Sequence, residues 1–323
     1  MRKWIFLLLP PLLVASAALA VLAQTKGKAV KRAQPPKFGV SNTFYADAFK
    51  EGLVGPRPGN LGQPAAVAGG GNAGNPATSA PAAGSGGGVA GAGWSRLISA
   101  ATIEDEIKSL KLQVDQGVTT PSDFAGKGYK QARRQFSVLA MLFGIASEFE
   151  TDVRWKKDAP AAREAFARTA ANSKVGTQQV WQEAKLRKEE LGDLINGGTP
   201  FAGKEAEAKA AWKDVVGRAP LMQFLEQAWD PRLKPALADK NQFTASADKV
   251  LHDAEMFAAI GEVLSKDGMP DAESSEYKAF CAKLRDAATT IREAVKAKNY
   301  DQAASASAAI GKACVECHEN YRS

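Results

Sequence analysis

Histidine and cysteine are the scarce residues of this chain: 323 residues contain 2 His and 3 Cys. Three cysteines cannot make a disulfide framework, and the odd one, Cys281, argues against any such scaffold. There is no second Cys-x-x-Cys and no histidine cluster, so the pattern of a zinc site is missing. Aromatic residues make up only 8%. No basic stripe interleaved with aromatics occurs, which argues against nucleic-acid binding. The formal net charge is +7, two units less without Arg2 and Lys3, a diffuse surplus that gives weak attraction to acidic partners or membrane surfaces. Paired carboxylates, a nucleophile–base pair and a phosphate loop are also lacking, so no enzyme is expected.

What is present begins with an export signal. Met1-Arg2-Lys3 is a short basic start, and Trp4 to Ala20 is apolar apart from Pro10 and Pro11. Val21-Leu22-Ala23 offers a cleavage point before Gln24. The reading is a signal peptide over residues 1–23. The alternative is an uncleaved anchor tethering the chain to a membrane, since the apolar run is about long enough to span. Residues 24–54 form a short, slightly basic segment. Residues 55–93 are mostly Gly, Ala, Pro, Ser and Asn. Such a stretch buries too little apolar area to offset its ordering entropy and reads as a disordered linker.

From residue 94 to 323 the composition favours helices and no convincing strand occurs. Helices are expected from Thr102 to about Asp115, from the cap Thr120-Pro121 to about Glu150, from Asp158-Ala159-Pro160 to about Asn172 and from Val175 to Ile195. Further helices are expected around Lys204–Val216, from Pro220 to Pro231, over 242–266, over 273–297, and from the cap Asn299 to Tyr321. Tyr277, Phe280, Cys281, Leu284, Ala288, Ile291 and Val295 form one apolar stripe at helical spacing. Short connections between the last three helices imply antiparallel neighbours, and the fold class is all-α, a helical bundle.

Two of the three cysteines and one of the two histidines fall within five residues, Cys314-Val315-Glu316-Cys317-His318. On a helix, positions i, i+3 and i+4 share a face. That spacing is the attachment pattern of a c-type haem: two thiols add to the haem vinyl groups and the adjacent imidazole reaches the iron. One covalent haem c is therefore expected, held by Cys314 and Cys317 with His318 as axial ligand. A Cys314–Cys317 disulfide or a partial metal site is the alternative. Export agrees with the haem reading, because such motifs are loaded outside the bacterial cytoplasm.

The run Gly311-Lys312-Ala313-Cys314-Val315-Glu316-Cys317-His318-Glu319-Asn320-Tyr321-Arg322 resembles the haem-binding end of the cytochrome c prime family. There the motif lies near the C-terminus of the last helix and is followed by an aromatic residue and an arginine. Residues 277–310 resemble that family's third and fourth helices, and Tyr129-Lys130-Gln131 faintly resembles its first. The resemblance implies a four-helix haem core with extra helices, and it places Arg322 beside the proximal face of the haem. A cation favoured by the helix C-terminus is the plain alternative for Arg322.

The opposite face of the iron decides function. His252, the other histidine, shares a face with Met256, Ala259 and Val263 on the 242–266 helix and is a candidate second axial ligand. Bis-histidine ligation would give a low-spin, redox-active iron. Met222, Met256 and Met141 are further candidates, and an open site is the remaining one. The leading expectation is a periplasmic or otherwise exported one-electron carrier serving a redox partner protein. The alternatives are a five-coordinate haem protein that binds nitric oxide or carbon monoxide, and a tethered module whose haem is structural. Oligomeric state is left open.

Overall fold

The computed structural model describes residues 93–322. The leader, the 24–54 segment and all but the last residue of the linker expected over 55–93 lie outside the described residues. Within them the chain is helical and no strand occurs. Eight helices are eleven residues or longer: α1 (Ala100–Gly117), α2 (Tyr129–Glu148), α3 (Ala159–Asn172), α4 (Gln178–Ile195), α5 (Arg218–Ala228), α6 (Ala247–Leu264), α7 (Ser275–Lys296) and α8 (Tyr300–Tyr321). None of the described helices is long and apolar enough to cross a membrane.

The helix starts follow from local chemistry. Ser99, Thr120, Thr177, Ser274 and Asn299 each accept a hydrogen bond from a backbone N–H of the first turn that follows. Each satisfies a donor that the helix cannot, a contribution of about 1 kcal/mol. Pro121 follows Thr120 at the first helical position, where its missing N–H costs nothing. The chain then passes through a π turn, Phe124–Gly128, into α2.

Two expected helices differ. Most of 204–216 is irregular, and only Trp212–Val215 is helical. The Arg163 guanidinium, 1% exposed, takes the carbonyl oxygens of Glu207 and Ala208 at 2.5 and 3.5 Å. The Glu164 carboxylate accepts from the Glu207 N–H at 2.9 Å. Those backbone groups are spent on α3 and cannot close a helical turn. The expected 242–266 helix is broken at Ser246, where ψ is 17°, into Lys240–Ala245 and α6.

The eight helices form two sets of four. In the first set the tightest hairpin is α2 with α3; in the second α7 packs equally closely on α6 and on α8, and the α6–α7 hairpin is the counterpart of α2–α3. The two hairpin loops share their geometry. Trp155 and Asp271 are non-glycine residues in left-handed conformation, φ 65° and 62°, and each stands four residues before the next helix. The Asp158 N–H donates to the Trp155 carbonyl at 2.9 Å, as the Ser274 N–H donates to the Asp271 carbonyl at 2.9 Å. A π turn separates the first and second helices of each set, Phe124–Gly128 and Trp229–Leu233. The sets pack reciprocally: α2 lies on α5 and α1 on α6.

A lead-in segment, Gly93 to Ser99, runs across the seam. Trp94 donates from Nε1 to Glu148 at 3.0 Å, and its ring centroid lies 5.4 Å from that of Trp212. Ser99 donates from its N–H and hydroxyl to the buried Glu255 on α6 at 2.9 and 2.7 Å. Arg292 of α7 pairs with the same carboxylate at 2.9 Å.

Candidate functional site

α8 packs along α7 through a stripe of small residues. Ala303, Ala306, Ile310 and Ala313 are buried, and the stripe continues into the half-buried Cys314 and Cys317. His318 and Val315 are exposed, Val315 at 61%. The motif thus sits where the core stripe of α8 turns outward, with the thiols on the inner edge and the imidazole on the outer one. Neither thiol is in a disulfide. Burial, the neighbouring Cys317 and Asp230 push the Cys314 thiol up to about 11. Burial also raises Cys317, with Arg218 opposing and Asp271 assisting. Both groups are neutral S–H at ordinary pH.

The end of α8 is locked to the start of α7. The Tyr321 ring meets Tyr277 at 5.2 Å and Phe280 at 6.3 Å, both edge-on. Its hydroxyl lies 3.0 Å from the Ser274 hydroxyl and donates to Glu276 at 2.9 Å. Within the motif, Lys283 of α7 pairs with Glu316 at 3.0 Å and holds that carboxyl below its ordinary value. These contacts fix the turn of α8 that carries Cys317 and His318.

α5 and the π turn after it supply the other wall. Arg218, Met222, Leu225 and Trp229 stand at i, i+4, i+7 and i+11 and share a face. Arg218 at one end is an electrostatic neighbour of Cys317 and pairs with Asp271. Trp229 at the other end lies 3.7 Å from where a Cβ on Gly311 would stand. Met222 is half-buried between them, whereas Met141 and Met256 are 0% exposed in the core.

His252 is elsewhere. Glu255 of α6 pairs with Arg292 near the end of α7, and Gly261 abuts Cys281 and Arg285 nearer its start. The two helices are therefore antiparallel, and His252 lies level with the last turn of α7. The motif lies level with its first turns, about 20 Å away at 1.5 Å per residue. Nine residues at 100° each also place His252 half a turn from Gly261, facing away from α7. The structure does not bring His252 and His318 to one iron. His252 instead lies 3.3 Å from Glu106 of α1 and 3.7 Å from Asp253. Burial alone would lower it, but Asp253 and Glu106 outweigh burial and raise it above its ordinary value.

Arg322 is exposed directly after α8. Cys281 is a buried free thiol facing Tyr277, and burial pushes it up to about 12. Arg218, Trp229, Asp230 and Tyr277 were not singled out as site residues by the sequence. The i, i+4, i+7, i+11 spacing on α5 signals only Arg218 and Trp229, and that spacing reads equally as core. Against known proteins, the chain matches no family model, no curated protein and no solved structure.

The donor set fits a covalently held haem. Two protonated thiols and one exposed imidazole share a face at the required spacing, and no disulfide consumes them. Among the described residues no three His, Cys, Asp or Glu side chains converge as a bare-metal site.

Proposed function

We propose that this protein is an exported mono-haem c-type cytochrome that carries single electrons, with α5–α8 as a haem core like that of the cytochrome c prime family. The observation that carries the reading is the geometry of Cys314, Cys317 and His318 on the outward-turning end of α8. Bound there, haem supplies a one-electron iron couple.

The chain's own residues do the rest. Cys314 and Cys317 would hold the group covalently through thioether bonds, each thiol adding across a vinyl group with its hydrogen going to the other vinyl carbon. His318 would supply an imidazole from the exposed edge. The Tyr321 lock and the Lys283–Glu316 pair hold that turn in place, so ligand and thioethers need little rearrangement. Trp229 and the stem of Arg218 would exclude water from the inner side, and Arg322 would lie at the outer edge. With His252 engaged by Glu106, Met222 on α5 would be the candidate for a second ligand. Gas binding at an open sixth position is the second reading.

The test is to express the full chain with a c-type maturation system and record its spectrum. A thioether-linked haem, one per chain, is expected, and it is lost in the Cys314→Ser/Cys317→Ser variant. Haem-free wild type from a strain that loads other c-type cytochromes overturns the reading. A low-spin ferric spectrum that turns high-spin in Met222→Ala identifies the sixth ligand. A high-spin wild type that binds carbon monoxide favours the gas-binding alternative.

A further inference from the structure

The cluster around His252 remains unexplained by haem attachment. Glu106 of α1 has a side chain only 4% exposed, and the group nearest its carboxylate is His252 Nε2 at 3.3 Å. Among the described residues no backbone, lysine or arginine hydrogen bond reaches this carboxylate, in contrast to Glu255 one turn along α6 from His252. An acid so buried, with His252, Arg232 and Asp253 as its charged neighbours, costs free energy as the anion and holds its proton more strongly than an exposed one. The pair lines a cavity of about 640 Å³ between α1, α6 and the segment 231–246, which gives protons a path from solvent.

The surrounding charges come from every element that packs here. α1 brings Asp105, the π turn brings Arg232, and α6 brings Asp248, Lys249 and Asp253. Arg232 is fixed on Asp253 by two bonds of 2.7 and 3.2 Å. The same five-residue π turn carries Trp229 and Asp230, the neighbours of Gly311 and Cys314. The Trp229 ring also meets Phe257 of α6 in a tilted contact at 6.1 Å. One rigid turn therefore touches the haem-bearing helix at one end and the Glu106–His252 pair at the other.

We propose that the Glu106–His252 pair is a proton-exchange site coupled to the haem, taking up one proton from solvent when the iron is reduced and releasing it on oxidation. The inference rests on the haem reading above. The balance is simple: one electron from the redox partner enters the iron couple, and one proton from water enters the carboxylate–imidazole pair through the cavity. The added negative charge favours the protonated pair through the low-dielectric interior and through Arg232. Consistently, burial raises Glu106 to about 7 against the pull of His252 and Arg232.

The experiment is potentiometry of the full haem-loaded chain from pH 5.5 to 8.5, with proton NMR of the His252 ring in the oxidised and reduced forms. The expected result is a midpoint potential that falls as pH rises through neutrality, and a His252 titration at higher pH in the reduced form. Glu106→Gln, of equal size, is expected to flatten the potential while leaving the haem spectrum unchanged. His252→Gln, which leaves Glu106 unpartnered, is expected to displace the pH range of the slope. A pH-independent potential overturns the inference and leaves the haem reading standing, as does a slope that both variants keep. A chain that takes no haem overturns both.

Discussion

The two four-helix sets differ most at the place where their loops agree best. Trp155 and Asp271 hold the same position in their hairpin loops. In the first set that position is an indole donating to the Leu194 carbonyl of α4 at 3.0 Å. In the second it is a carboxylate beside Arg218 and Cys317. Around Trp155 the first set is filled with rings: Phe143 lies 6.2 Å away, Phe166 lies 5.4 Å from Phe143, and Phe201 lies 6.0 Å from Phe166. The second set has a half-buried pair of thiols and an exposed imidazole there. One set closes its core with aromatics. The other leaves an end that the proposed cofactor would close.

The comparison can be broken by damage confined to the first set. Phe166→Ala removes a ring that touches three others, and a loss of about 3–5 kcal/mol is expected in denaturant unfolding. If the sets divide labour as described, haem content and spectrum stay as in wild type. A proportional loss of haem would show that the first set helps to build the haem end.

The two helix-contact glycines sharpen it further. A Cβ at Gly261 would stand 3.0 Å from the Arg285 backbone nitrogen and 3.1 Å from the Cys281 carbonyl oxygen, so α6 and α7 must separate. A Cβ at Gly144 would meet the Trp212 ring edge at 3.1 Å and the flexible Arg163 stem at 3.6 Å. Gly261→Ala is expected to cost roughly 1–3 kcal/mol and Gly144→Ala less, both read from thermal unfolding. Equal costs would mean that side-chain relaxation around Trp212 is as hard as backbone movement.

The smallest effect concerns caps. Ser274→Ala removes the cap of α7 and also the Tyr321 hydroxyl contact at 3.0 Å. Thr177→Ala removes only the cap of α4. Both should lose about 1 kcal/mol, with Ser274→Ala the larger loss and hydrogen exchange accelerated at the end of α8.

Much of this was legible in the sequence because it is local. Thr120 and Asn299 cap helices as their residue types predict, and of the expected stripe Tyr277, Cys281, Leu284, Ala288 and Ile291 are buried while Phe280 and Val295 are half-buried. Two features were not legible because they depend on distant partners. Lys204–Val216 has helical composition, but Arg163 takes its carbonyls. His252 lies on a face that looks suitable for a ligand, yet its direction is set by α7 on the opposite side and Glu106 on α1. The repeated loop went unseen because what repeats is backbone conformation. A tryptophan and an aspartate occupying the same left-handed position leave no shared letter.

The lead-in segment gives the molecule a mechanical character. Tension applied at Gly93 reaches Glu148 and Glu150 of the first set and Glu255 and Arg292 of the second almost at once, through Trp94, Ser95 and Ser99. The handle is glued across the seam and not to one end of a helix. A pull there loads both sets in shear, so in a force experiment the chain should yield as one block, with the thiol-bearing end of α8 among the last parts to feel it.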